Sequence, residues 1–381
     1  MLSTPKSITF EAAATGVVAL LALASAGGWA AAQALPPPPP PAAGRADGAG
    51  LPSPRRDPPG VVSRRYHVMG TELVLTAYVS DTVQAADAFA AAHAEVSRIE
   101  ALMTDWERPG VAPSDVLRIN AAAGDGHPIP VSAETFEVIA EALDMSRRSD
   151  GAFDITFAAM HGLWKFDEDL EKKVPSPAEV AVRRRLVNWR DVVVDARART
   201  VRLRRAGMRM GLGGIAKGYA VDRASAVLRA HGLANFMVQA GGDLYVSGSK
   251  GPAHWMVGVR DPRGGPADVI AKMPIQDHAF STAGDYERGF VLGGRRYHHI
   301  IDPKTGYPAT ASREVTIFAP TAFLADALDD AVFILGPTRG LALCRQFPDT
   351  GALIVDAKNH VWLSPGLEGR LERTAEPKDG I

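Results

Sequence analysis

A dense run of glycine, histidine and short polar residues over positions 281–308 constrains the fold of this chain more than any other feature. The run contains the pair Gly293-Gly294, which is typical of the turn of a β-hairpin. On either side lie the polar segments 282–286 and 298–306. Core packing does not require this mixture, whereas loops at the edge of a rigid sheet present polar groups and bare backbone to ligands. The run therefore predicts a functional site between two strands.

Composition limits the class of protein. The chain has 381 residues, of which 46% are hydrophobic, enough for one large core or two modest ones. Its 42 basic and 43 acidic residues nearly cancel, so charge gives no indication of a nucleic-acid partner. The single cysteine, Cys344, excludes a disulfide within the chain and a thiolate metal cluster. It stands at apolar spacing in a helical stretch, which predicts a buried, unreactive thiol.

The N-terminus has the pattern of a secretory signal peptide over residues 1–34. A basic residue precedes a long apolar run, which ends in the small-x-small cleavage pattern Ala32-Gln33-Ala34. An uncleaved anchor in the inner membrane is the alternative, because the apolar run approaches spanning length. A Pro-, Gly- and Ala-rich linker is predicted over residues 35–63. We expect an exported protein, in the periplasm or on the outer face of the cytoplasmic membrane.

The folded domain is predicted over residues 64–368, followed by a polar tail over 369–381. Its strand and helix signals follow no regular βαβ rhythm, which predicts an α+β fold of mixed sheets and packed helices. One continuous strand is expected over residues 66–79. The helical periods predict helices over 85–103, 133–148 and 321–335, a helix that opens within residues 211–218 and continues to about His231, and a further helix beginning at Pro337. Other strand signals lie at 191–195, 200–203, 236–246, 255–260, 315–319, 352–356 and 360–363.

A glycine-rich segment, Gly213-Gly214-Ile215-Ala216-Lys217, precedes and opens one of these helices. Free N–H groups and the helix dipole favour an anion at such a helix start, and the lysine can neutralise a phosphate. The segment matches neither the dinucleotide fingerprint nor a P-loop, so a common nucleotide fold is not indicated. A tight turn for close packing is the alternative interpretation.

The helix predicted from Thr321 carries Asp326, Asp329 and Asp330 on one side, since these positions are three and four residues apart. Like charges at this spacing destabilise a helix unless a cation offsets them. An oxygen-only ligand set suits Mg²⁺ far better than zinc. A solvated acidic face is the alternative. Together, the phosphate-friendly helix start, the carboxylate helix and the polar hairpin favour a nucleotide or dinucleotide bound with Mg²⁺.

These segments resemble those of the ApbE family, the FAD:protein FMN transferases. The resemblance covers about residues 64–365, and its motifs occur in the family's order. It implies an exported, Mg²⁺-dependent enzyme that moves FMN from FAD to a threonine of an acceptor protein and releases AMP. The matching motifs are Val68-Met69-Gly70-Thr71, Met103-Thr104-Asp105-Trp106, Gly151-Ala152-Phe153-Asp154, residues 212–222, Gly241-Gly242-Asp243, residues 282–286, residues 299–306 and Ala325-Asp326-Ala327-Leu328.

The resemblance also implies roles for individual residues. His299 and Asp326 are the expected catalytic residues, with His299 as proton acceptor or orienting group, although a hydrogen-bonded strand histidine is the alternative. The residues that fall where the family contacts FAD are Met69, Trp106, Ala152, Phe153, Asp154, Lys217 and Ile301. Those that fall where the family binds magnesium are Gly214, through its carbonyl, with Asp326, Asp329 and Asp330.

This chain departs from the family pattern at two positions. Gly211 stands where the family usually has an aspartate that helps to hold FAD, and Asp330 stands where it usually has threonine. Two other functions therefore stay open. The protein can be a pyrophosphatase that releases FMN and AMP from FAD, with water in place of threonine. It can also be a non-catalytic periplasmic FAD-binding protein.

Overall fold

The structure is a computed structural model, which describes residues 60–166 and 172–381. The predicted signal peptide or anchor over 1–34, and most of the predicted linker, lie outside the described residues. Within the two described ranges, no helix combines the length and the apolar character needed to cross a membrane.

The strands and helices follow one another along the chain without a repeating unit. The strands are β1 (Gly60–Val68), β2 (Thr71–Val79), β3 (Ile129–Pro130), β4 (Val192–Asp195), β5 (Thr200–Leu203), β6 (Phe236–Ala240), β7 (Asp243–Ser247), β8 (Trp255–Arg260), β9 (Val269–Ile275), β10 (His278–Gly284), β11 (Gly289–Leu292), β12 (Arg295–His298), β13 (Ser312–Ala319), β14 (Gly351–Asp356), β15 (Val361–Leu363) and β16 (Glu372–Arg373). The helices are α1 (Thr82–Met103), α2 (Asp115–Ala121), α3 (Ala133–Arg148), α4 (Pro177–Arg184), α5 (Ala216–Ala230) and α6 (Ala322–Cys344).

An antiparallel sheet with the strand order β1-β2-β6-β7-β10-β13-β14-β15 forms the centre of the fold. Smaller sheets have the orders β16-β9-β8, β3-β5-β4 and β11-β12. Sheets and helices are segregated rather than alternating in βαβ units, which confirms the predicted α+β class.

Both faces of the large sheet are covered. Because side chains alternate along a strand, Phe236 and Val238 of β6 join the core beneath the helices, and Met237 between them joins a second core. The second core lies against the small sheet that contains Trp255 and Val257 of β8. A buried sheet of this kind gives the loops at its ends a rigid base.

The N-terminal strand signal is a hairpin rather than one strand. Met69 and Gly70 have φ of 54° and 68°, and this two-residue turn joins β1 to β2. The prediction of a continuous strand over 66–79 was wrong, because both arms alternate and the turn carries no strong breaker besides the glycine. The strand β1 also begins at Gly60, within the segment assigned to the linker.

The C-terminal tail is attached to the domain. The strand β16 pairs with β9, and the backbone N–H of Lys378 donates to both carboxylate oxygens of Asp261. The side chain of Asn359 donates to the carbonyl of Pro377, which is buried. The polar tail predicted over 369–381 therefore makes these contacts with the domain.

Helices α5 and α6 pack closely against each other on the sheet. A Cβ atom on Gly218 of α5 would lie 2.2 Å from the carbonyl oxygen of Ala322, so glycine is required at this crossing. Asp222 of α5 accepts the N–H groups of Ala322 and Phe323, which fixes the start of α6. As predicted, α6 is interrupted before Pro337, where Gly336 has φ of 70°. The crossing brings the glycine loop to the acidic face of α6.

Candidate functional site

Turns from three neighbouring strands of the large sheet meet beside the α5–α6 crossing. The Gly241 N–H donates to the Glu72 carbonyl at 3.1 Å, and the Thr282 N–H donates to the Gly242 carbonyl at 3.2 Å. A Cβ on Gly242 would lie 2.7 Å from the Thr282 oxygen, so only glycine allows this approach. The turn therefore delivers Asp243, the first residue of β7, into the interior.

Lys217, in the first turn of α5, places its positively charged ammonium group among the carboxylates. Its Nζ lies 3.0 Å from Asp243 Oδ2 and 3.1 Å from Asp326 Oδ1, and it donates to the Gly213 carbonyl at 3.3 Å. The second oxygen of Asp326 accepts the Gly218 N–H at 2.7 Å. The carboxylate of α6 thus holds both the lysine and the backbone at the start of α5.

Ser281 of β10 joins two of the carboxylates. Its Oγ lies 2.5 Å from Asp243 Oδ1 and 2.6 Å from Asp329 Oδ2. A hydroxyl has one proton to donate, so the second short contact requires a proton on one of the two carboxyl groups. Burial, reinforced by the charges of Asp330 and Asp326, raises the pKa of Asp329 well above its ordinary value. Burial therefore favours the protonated form of Asp329.

The site has more negative than positive charge. Ligand atoms of Asp243, Asp326 and Asp329 all lie within 4.8 Å of one another, and all three residues are buried. Burial and the charge of Asp243 raise the pKa of Asp326 to about 7, and burial raises the pKa of Asp330 to about 6. Burial alone would lower the pKa of Lys217, but the carboxylates outweigh it and hold that pKa well above the ordinary value. One lysine faces four carboxyl groups, and this oxygen-only set fits a divalent cation such as Mg²⁺.

The predicted ligands of the metal converge. A Cβ on Gly214 would lie 3.1 Å from Asp330 Oδ2 and 3.5 Å from the ring of Phe153, so the glycine loop passes directly beside both side chains. Asp326 and Asp329 are 1% and 5% exposed, which rules out a solvated acidic helix face. The structure therefore brings together Gly214, Asp326, Asp329, Asp330 and Lys217.

Among the residues expected to contact FAD, Asp154 has a structural task in this fold. Its Oδ1 accepts the N–H and the hydroxyl of Thr156, and its Oδ2 accepts the N–H of Trp189 at 2.9 Å. Both oxygens are therefore engaged within the chain. Asp154 thereby fixes the loop that carries the buried Ala152 and Phe153.

Three further residues expected to contact FAD lie on separate elements. Met69 stands in the β1–β2 turn, which is drawn to the same end of the sheet because Thr71 packs against Gly241. Trp106 follows α1 and exposes 69% of its surface, so its ring is free to stack on a planar ligand. Ile301 is buried in a small aromatic and aliphatic cluster beside the hairpin β11–β12.

The two neighbouring histidines have different environments. His298 is buried, and its Nε2 lies 2.8 Å from the Ala309 carbonyl. His299 is half-buried, with Nδ1 3.4 Å from the Arg288 carbonyl. Burial, together with the positive charges of His298, Arg288 and Lys217, lowers the pKa of His299 to about 3. With this pKa, the imidazole of His299 is neutral at physiological pH.

The sequence patterns gave no role to Asp243 or Ser281, although both stand in motifs that were singled out. The signal that could have found Asp243 is the Gly241-Gly242 pair, since consecutive glycines before a short carboxylate allow backbone to approach closely. Ser281 offered no comparable signal, because its partners come from distant β7 and α6.

Comparisons with known proteins agree with one another. A model of the ApbE family matches residues 69–354. The FAD:protein FMN transferase of Treponema pallidum is 35% identical over 297 residues, covering 73% of this chain and 82% of that protein. One from Klebsiella pneumoniae is 31% identical over 298 residues, covering 78% of this chain and 90% of that protein. The crystal structure of an ApbE protein from Thermotoga maritima superposes with a TM-score of 0.73 at 32% identity, covering 83% of this chain and 100% of that one.

Proposed function

The chain belongs to the ApbE family, as its motifs predicted, and from this membership we propose that it transfers FMN from FAD to a threonine hydroxyl of an acceptor protein. The names of its relatives supply FAD as donor and a protein as acceptor. The threonine, the Mg²⁺ dependence and the release of AMP are our more specific proposals.

The observation that carries this proposal is the position of Lys217 between the glycine loop and the buried carboxylates. The start of α5 has no acidic residue in its first turn, so the helix dipole favours an anion there, although the Ala216 and Gly218 N–H groups already have partners within the chain. Lys217 adds a positive charge at the same place. A diphosphate bound there meets cationic groups on one side and the acidic face of α6 on the other.

The buried carboxylates carry more negative charge than Lys217 can neutralise, and a divalent ion would offset the excess. The Gly214 carbonyl, Asp326, Asp329 and Asp330 would hold Mg²⁺, with Asp243 beside them. Bound Mg²⁺ supplies positive charge that stabilises the phosphate oxygens during transfer. The chain's own contribution is to keep these acidic groups together through Ser281 and Lys217.

The transfer itself needs a proton acceptor. The threonine oxygen forms a bond to the FMN-side phosphorus, the bond from that phosphorus to the bridging oxygen breaks, and AMP leaves with that oxygen. His299 takes the hydroxyl proton, since its imidazole is neutral and half-buried. A neighbouring anionic diphosphate favours the imidazolium that forms, which offsets the low pKa of His299 in the free protein.

We also propose that the reaction occurs outside the cytoplasm, in the periplasm or on the outer face of the membrane. The support is the signal-peptide pattern over residues 1–34. Cell fractionation with an antibody to the folded domain tests this location, and recovery in the cytoplasmic fraction would overturn it.

The activity is tested by incubating the purified protein with FAD, Mg²⁺ and an acceptor domain. We expect covalent flavin fluorescence on the acceptor in a denaturing gel, with an equal amount of AMP. An acceptor whose threonine is replaced by valine is the matched control and should remain unlabelled. Release of FMN and AMP without labelling would indicate a pyrophosphatase. Metal-independent FAD binding without turnover would indicate a binding protein.

A further inference from the structure

A carboxylate–imidazole pair, Asp105 with His161, lies apart from the carboxylates of α6. Asp105 Oδ2 is 3.2 Å from His161 Nδ1, and the two side chains are 14% and 38% exposed. The other oxygen, Oδ1, has no hydrogen-bond partner in the part of the chain that the structure describes. Solvent can reach the pair, so one acceptor oxygen of Asp105 is left open to a ligand.

The Asp105 carboxylate occupies the space that a side chain at position 211 would need. A Cβ on Gly211 would lie 3.2 Å from Asp105 Oδ2 and 3.2 Å from the Ala158 Cβ. The backbone there cannot move away easily. Asn120 exchanges two hydrogen bonds with Met210, at 2.9 and 2.8 Å, and the Gly211 N–H donates to a neighbouring carbonyl at 2.9 Å. Glycine at 211 is therefore what admits the carboxylate of residue 105.

The contact between Asp105 and Gly211 lies between the glycine loop and Trp106. Gly211 begins the loop that continues to Gly213, whose carbonyl accepts from Lys217. On the other side, Asp105 is followed directly by Trp106, whose ring is exposed. An acceptor oxygen thus stands between a phosphate-binding loop and an aromatic surface that can stack on a ring.

We propose that Asp105, which lies beside His161, is a FAD-binding residue that accepts a hydrogen bond from an N–H or hydroxyl group of the dinucleotide. The inference rests on the proposed function only in taking FAD as the ligand. FAD carries such donors on its rings and its sugar chains, within reach of a stacked ring. A purely structural pair, which joins the loop after α1 to the loop that contains His161, is the competing interpretation.

Affinity for FAD, followed by quenching of flavin fluorescence, separates the two interpretations. Loss of a hydrogen bond to a charged group predicts a Kd about 10- to 100-fold higher for Asp105→Ala. The double variant Asp105→Ala/Gly211→Asp offers the carboxylate from the opposite side of the same space and should recover most of the affinity. Asp105→Asn keeps the shape of the side chain but removes its charge, so it provides the same test without creating a cavity. The Tm of the FAD-free variants should stay close to that of the unsubstituted protein.

Binding of FMN and of ADP shows which half of FAD supplies the donor, because the loss should appear with only one of them. An unchanged Kd for all three ligands in Asp105→Ala, or a lowered Tm with no rescue by the double variant, would overturn the inference. These outcomes are distinct from failure of the proposed function, since only that failure removes FAD binding from the unsubstituted protein.

Discussion

Asp326→Asn should strengthen the metal-free fold while it removes the response to Mg²⁺. Asparagine keeps the size of the side chain and can still accept the Gly218 N–H, but it removes one negative charge from a buried group of carboxyls. In a protein whose acidic residues served only the fold, the same change would be destabilising. The direction of the effect therefore separates a ligand site from a structural ion pair.

The magnitude follows from the pKa of Asp326, which burial and the charge of Asp243 raise from 3.8 to about 7. At pH 7, a carboxyl whose pKa is raised this far lowers the free energy of unfolding by about 4 kcal/mol, because the fold disfavours its charged form. Because the folded pKa lies above the unfolded one, this cost is absent below pH ~4 and grows as the pH rises toward 7. We expect Asp326→Asn to gain up to about 4 kcal/mol at pH 7 and to lose this part of the pH dependence.

Urea denaturation of metal-stripped protein, repeated with saturating Mg²⁺, measures both effects. Mg²⁺ at 100 times its Kd should stabilise the unsubstituted protein by about 2.7 kcal/mol and Asp326→Asn by much less. Asp222→Asn is the matched control, because Asp222 is half-buried, has its pKa raised by burial to about 6, and caps α6 outside the site. It should keep the full response to Mg²⁺. A loss of about 3 kcal/mol or more in metal-free Asp326→Asn, with an unchanged Mg²⁺ response, would refute the reasoning.

The remaining predictions concern the helix crossing, the thiol and the histidine. Gly218→Ala should lower the free energy of unfolding by ~1–3 kcal/mol or more, because its Cβ would meet the Ala322 oxygen at 2.2 Å, whereas Gly213→Ala has open space and should be neutral in the same denaturation assay. Burial raises the pKa of Cys344 to about 12, so iodoacetamide at pH 8 should label it only in denaturant, and rapid labelling of the native protein would contradict its burial. His299→Gln should lower turnover by ~10²–10⁴ with little change in the Kd for FAD, and an equal loss in both would remove the proton-acceptor role.

Local patterns were sufficient for most of the elements. Helical spacing placed α1, α3, α5 and the interrupted α6, since each has an apolar stripe and a recognisable end. The glycine pair placed the hairpin β11–β12. The turn at Met69-Gly70 was missed because nothing in the alternation on either side distinguishes a two-residue hairpin from one long strand.

The site was only partly predictable for a related reason. Spacing on one helix aligned Asp326, Asp329 and Asp330, but it could not show that Asp243 arrives from a strand end to share Lys217. The pairing of distant elements decides that contact. Gly211 is a similar case. The resemblance to the family showed only that an aspartate is missing there, and the packing shows that Asp105 lies in the adjoining space.

We propose that the buried carboxylates beside the glycine loop hold a divalent ion where the diphosphate of FAD binds. Anomalous scattering from crystals grown with FAD and Mn²⁺, a detectable substitute for Mg²⁺, tests it most directly. We predict an anomalous peak bounded by Gly214, Asp326, Asp329 and Asp330, with the diphosphate next to it. FAD bound with no peak at these residues, or with the ion and the diphosphate far apart, would contradict the account.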